Sequence, residues 1–110
     1  MVFFEGKNFY QSSEVPISGQ DFAAEGLVVV TMNYRLNVFG FFCLGISEAR
    51  GNLGMLDQYF GLLWIRENIN KFGGDPEKIT LYGHQSGAAS VTLHMVSPRT
   101  AGAFRLRTNF

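Results

Sequence analysis

The chain has little with which to build a metal centre, a disulfide or a charged surface. Its 110 residues include one cysteine, Cys43, which cannot form an internal disulfide and leaves the redox compartment unread. Nine basic and nine acidic residues cancel to a formal net charge of zero. With no basic block either, nucleic acid and anionic membrane are poor partners. No apolar run reaches transmembrane length, and no charged-then-apolar leader opens the sequence. Charged residues make up 16% against 46% hydrophobic and 15% aromatic, too apolar a balance for a disordered segment. No metal site and no cofactor is expected, and no repeat, low-complexity tract or linker divides the chain. What remains is a piece of a globular protein.

Patterning supplies its elements. Leu27-Val28-Val29-Val30-Thr31-Met32 is β-branched and almost continuously apolar, which predicts a parallel strand over residues 27–33, covered on both faces. Residues 1–4 and 79–82 read as two further strands. A short helix is predicted over residues 21–25, and a brief extended stretch or loop over residues 39–44. A long helix runs from about residue 53 to about residue 71. Its apolar surface is wide, so Tyr59, Phe60 and Trp64 are expected in the core. Gly73-Gly74-Asp75-Pro76 then stops the helix and starts a turn.

The turn leads to the most informative stretch. Residues 79–82 form the strand signal, Gly83-His84-Gln85-Ser86-Gly87 follows, and residues 86–95 are small and apolar enough to form a helix. Strand, sharp glycine turn and helix are the context of a G-x-S-x-G nucleophile elbow, whose middle residue projects into an active site. Here the middle residue is Gln85. A carboxamide has no hydroxyl for a base to activate, so it cannot form an acyl-enzyme in the usual way. Ser86 lies one residue late.

Several ordered stretches then resemble the type-B carboxylesterases, the cholinesterase-like group of α/β-hydrolases. They are Asn33-Tyr34-Arg35-Leu36 with Phe39-Gly40-Phe41, and Gly51-Asn52-Leu53-Gly54 with Asp57-Gln58. Trp64-Ile65 with Glu67-Asn68-Ile69 comes next, then Phe72 to Pro76, then the elbow with Gly87-Ala88-Ala89-Ser90. The resemblance implies an α/β class with a partial α/β-hydrolase fold over residues 1–110. It also implies a parallel sheet with crossover helices. Ester-hydrolysing members read Gly-Glu-Ser-Ala-Gly at the elbow, and His-Gly-Gly-Gly-Phe at the loop that holds the oxyanion. The matching loop here is Glu5-Gly6-Lys7-Asn8-Phe9, so Gly6, Lys7 and Asn8 form a vestigial oxyanion loop. One lost oxyanion donor costs about 2.7–4 kcal/mol of transition-state stabilisation. Nucleophile and oxyanion loop are thus both degraded, and no catalytic residue is assigned.

The remaining residues take bland roles. Gln85 is expected as a satisfied polar group in a vestigial pocket, and His94 as a packed side chain of the elbow helix. Ser86 should cap that helix, with a displaced nucleophile as the alternative. Glu5 and Lys7 read as solvated loop charges, with a charged patch for a protein partner as the alternative. Cys43, at a position where the family has a small residue, reads as a packed thiol. The family domain needs several hundred residues, so the chain is expected to be a fragment whose three strands leave both sheet edges open. Two functional classes follow from the resemblance. One is a non-catalytic, secreted or cell-surface recognition or adhesion glycoprotein, as with neurotactin, glutactin and the neuroligins, with a protein partner held by surface loops around residues 7–16. The other is a carboxylic-ester hydrolase with an atypical nucleophile, or a degenerate copy.

Overall fold

The computed structural model describes residues 1–12, 18–101 and 104. Val2–Phe4 (β1), Val30–Met32 (β2) and Leu81–Gly83 (β5) form a parallel sheet in the order β2-β1-β5. The register sets Val2 against Val30 and Leu81, and Phe4 against Met32 and Gly83. All three residues of β1 are buried, as a strand paired on both sides and covered on both faces requires. Side chains alternate across it. Val2 and Phe4 join the main core with Met32, Leu62, Ile65, Ile69, Ile79, Leu81 and Val91, while Phe3 stacks on Tyr82 with ring centroids 5.2 Å apart. The fold is therefore α/β, a parallel sheet with helices, consistent with part of an α/β-hydrolase.

The central strand decides how long its neighbours are. Of the apolar run over residues 27–33, Val30–Met32 alone pairs, because β1 offers partners to those three residues. Leu27 stays 47% exposed, so the expectation of a long strand covered on both faces fails. The strand feeding the elbow is Leu81–Gly83 rather than residues 79–82, although the ladder begins where Val2 N–H donates to Thr80 O at 2.8 Å. Among the described residues β2 and β5 each have a strand on one side, and both outer edges are open.

The helices depart from expectation where tertiary context overrules pattern. Gln20–Ala24 (α1) buries no residue. Asn37–Phe41 (α2) is helical where an extended stretch or loop was expected over residues 39–44. It starts at Asn37, whose φ of 57° suits an asparagine and whose Oδ1 accepts the Val38 N–H at 2.8 Å. Cys43–Ile46 (β3) and Ala49–Arg50 (β4) make a small antiparallel ribbon whose turn lacks a glycine or asparagine signal. Cys43 is exposed on it, with Sγ donating to Arg50 O at 3.2 Å, so it is not the packed thiol expected. Among the described residues the ribbon has two strands, which leave Cys43 exposed.

Leu53–Asn68 (α3) continues as a 3-10 turn over Ile69–Phe72. It buries one stripe, Gly54, Gln58, Leu62, Ile65 and then Ile69, at the three- and four-residue spacing of a single helix face. The aromatics expected in the core are off that stripe. Phe60 is 58% exposed and Trp64 54%, and Tyr59 is half-buried. Among the described residues α3 packs on the sheet, on α2 and, through Gln58, on α4, which is too little to cover its whole apolar girth. Ser86–Val96 (α4) packs against β5 and β1 and completes the core through Val91.

Candidate functional site

The turn between β5 and α4 is a tight strand-to-helix turn with Gln85 at its middle position. Gln85 has φ 51° and ψ −115°, a left-handed conformation that ordinary side chains avoid at a cost of about 1–3 kcal/mol. It persists because its surroundings leave no slack. A methyl group on Gly87 would lie 2.0 Å from Phe4 O, and one on Gly83 2.2 Å from Gly87 C. Those atoms are backbone and cannot move aside, so α4 can leave β5 this tightly only with glycine at both ends of the motif. The Gln85 side chain is exposed, as is His84. Exposure overturns the expectation of a satisfied polar group in a vestigial pocket, since the turn lifts the side chain into solvent.

Ser86 is the first residue of α4 rather than its cap. Gln85 takes the N-cap position and makes no side-chain cap bond, so the predicted capping role fails. The Ser86 hydroxyl points inward instead, 7% of the residue being exposed, and finds no hydrogen-bond partner. It faces Gly6, in the loop after β1. A methyl group on Gly6 would lie 2.1 Å from Ser86 Oγ, 3.0 Å from Tyr34 Oη and 3.4 Å from Gly87 N. Gly6 does not have a positive φ, so this position is glycine for space and not for backbone freedom.

Tyr34 fixes the loop from the other side. Its hydroxyl donates to Glu5 O at 2.8 Å, and burial pushes its phenol above the usual range. With that proton committed to Glu5, the Tyr34 oxygen faces Ser86 as an acceptor, and a neutral phenol is no base for it. Lys7 is exposed, and Asn8 pairs with Gln11 through a short bridge. Residues 13–16, part of the surface loops read as a partner site, lie outside the described residues.

A buried polar line runs away from the elbow along α4. Ser86, Ser90 and His94 fall at four-residue intervals on one helix face, and Gln58 of α3 faces them. Ser90 Oγ donates to Ser86 O and Gln58 Nε2 donates to Ser90 Oγ, both at 3.0 Å. The Gln58 oxygen is left to accept, which places the His94 proton on Nε2, 3.0 Å away. His94 also stacks on Phe4, with ring centroids 5.6 Å apart, and burial lowers its pKa, favouring the neutral ring. It packs, as expected, and its Nε2 is engaged by Gln58 rather than by Ser86. The line was missed in the sequence, where the four-residue spacing and the Asp57-Gln58 pair were its available signals.

Two of the motif stretches quoted above are clamped together. Arg35 grips Asp57 with two guanidinium bonds of 2.7 Å and its backbone N–H at 3.0 Å, tying the loop after β2 to α3. With Arg35 exposed and Asp57 half-buried, such a pair contributes about 0.2–1 kcal/mol. Among the described residues no group of histidine, cysteine and carboxylate side chains could hold a metal ion.

Comparison with known proteins agrees with this architecture. The carboxylesterase family model matches residues 1–107. The chain is 47% identical over 105 residues to the neuroligin-like protein glit-1 of Caenorhabditis elegans, covering 96% of this chain and 14% of that protein. It is 44% identical over 108 residues to acetylcholinesterase 4 of Caenorhabditis briggsae, covering 96% and 18%. With carboxylesterase 5A of Ovis aries it shares 45% over 105 residues, covering 94% and 28%. The chain thus spans between 14% and 28% of the length of these relatives.

Proposed function

This chain belongs to the carboxylesterase family, and from that premise we propose that it is a non-catalytic, cholinesterase-like recognition module. The observation that carries the reading is Gln85, held at φ 51° in the elbow where the family's hydrolases present serine. A second observation supports it. Ser86, the sole hydroxyl in the motif, is buried against Gly6 with no base bonded to it. A nucleophile needs an activating base within reach and an approach path for substrate, and among the described residues Ser86 is buried with no base bonded to it. The neuroligin-like relative favours recognition of a protein at a cell surface or outside the cell, through exposed loops such as residues 7–11. No helix among the described residues is long and apolar enough to cross a membrane.

Labelling with a fluorophosphonate tests the reading directly. The chain should take up no more probe than its Ser86→Ala variant, and p-nitrophenyl acetate should turn over no faster than with denatured protein. Gln85→Ser should recover little, because elements of a catalytic site act as a unit. Stoichiometric, saturable labelling of Ser86 would establish the alternative, an ester hydrolase with a displaced nucleophile.

A further inference from the structure

A cavity of about 510 Å³ opens between the β4–α3 turn and the C-terminal half of α4, on the far side of His94 from Ser90 and the elbow. That volume lies within the range of small-molecule sites, roughly 300–1,000 Å³. Its walls are mainly apolar, with Leu53, Leu56 and Tyr59 from α3 facing Leu93 and Val96 from α4. Leu93 is 45% exposed and Val96 74%, so this apolar surface stands open. Two arginines, Arg50 and Arg99, also line the cavity, and no acidic side chain does. Neither arginine is in an ion pair among the described residues. The one further titratable ring besides Tyr59 is His94, whose burial favours the uncharged form.

We propose that this cavity binds an amphipathic carboxylate of medium chain length, its tail along Leu56, Leu93 and Val96 and its head on Arg50 and Arg99. The chemistry is matched on both counts. An unpaired guanidinium presents a planar fork of donors suited to a carboxylate, and two of them beside a mainly apolar wall select an anion with a tail over a small ion or a neutral chain. A cationic amphiphile meets two like charges and no acid.

Titration of the full chain with decanoate below its micellar concentration tests the assignment, read by amide chemical shifts. Saturable shifts should appear at Leu56, Leu93 and Val96, with decanol at least about tenfold weaker and decyltrimethylammonium not binding. The double variant Arg50→Gln, Arg99→Gln should lose about tenfold in decanoate affinity and keep its decanol affinity, as two charge-assisted contacts are removed. Both arginines are exposed, and unchanged circular dichroism will show that the variant folds. Equal binding of decanol and decanoate, full affinity in the double variant, or shifts centred on Phe60 and Trp64 would each overturn the proposal.

Discussion

Replacing Gln85 by glycine should make the protein more stable, although it removes a side chain. Gln85 sits at φ 51° and ψ −115°, where a residue with a Cβ is strained by about 1–3 kcal/mol. Glycine reaches that conformation freely and returns about 0.5–1 kcal/mol of the gain as unfolded-chain entropy. The Gln85 side chain is exposed and donates no cap bond, so truncation forfeits little packing. The net expectation for Gln85→Gly is a gain of about 0.5–2 kcal/mol, or several degrees in Tm for a domain of this size. Gln85→Ala is the control. It loses the same side chain and keeps the strain, so it should stay within about 0.5 kcal/mol of wild type. Urea unfolding followed by circular dichroism at matched concentration would read both. If glycine and alanine shift the midpoint equally, or glycine lowers it, the elbow is not strained and the reasoning fails.

Two further outcomes follow from the same site. Gly6→Ala should cost about 1–3 kcal/mol by overpacking against Ser86 Oγ, and the cost should fall by at least about 1 kcal/mol in a Ser86→Ala background. Ser86→Ala alone should be neutral or stabilising, since it deletes a buried hydroxyl without a partner; a loss above about 1 kcal/mol would show that the hydroxyl is bonded in solution. Stability should also fall on acidification below about pH 6.5, because the unfolded His94 takes up a proton that burial disfavours in the folded state. Its contribution is complete above that pH and is lost as pH drops through the lowered folded value. Asp57, held low by Arg35, loses its own contribution only further down, below the ordinary carboxylate range. His94→Gln should flatten the stability profile between pH 7 and 5, and an unchanged slope would refute the assignment.

The sequence by itself determined the elements whose signals are local or ordered along the chain. The Gly73-Gly74-Asp75-Pro76 stop, the glycines bracketing His84 to Ser86 and the spaced motifs from Asn33 to Ser90 sufficed for the family and the α/β class. Gln85 sufficed to deny the family's usual nucleophile. Tertiary structure decided everything that depends on what a segment packs against. Residues 27–33 have the composition of one long strand, yet three of them pair, because β1 has three partners to give. Phe60 and Trp64 have the composition of core residues, yet they lie exposed, because one stripe of α3 meets the sheet. Residues 42–44 are extended as read, but residues 39–41 are helical and Cys43 is exposed, because a short helix and a two-stranded ribbon without a turn signal are specified by contacts rather than by local preference. Ser86 is the sharpest case. Its type and position suit a helix cap, but the close approach of Gly83, Gly87 and Phe4 moves the helix start back by one residue, and that turns the hydroxyl inward against Gly6.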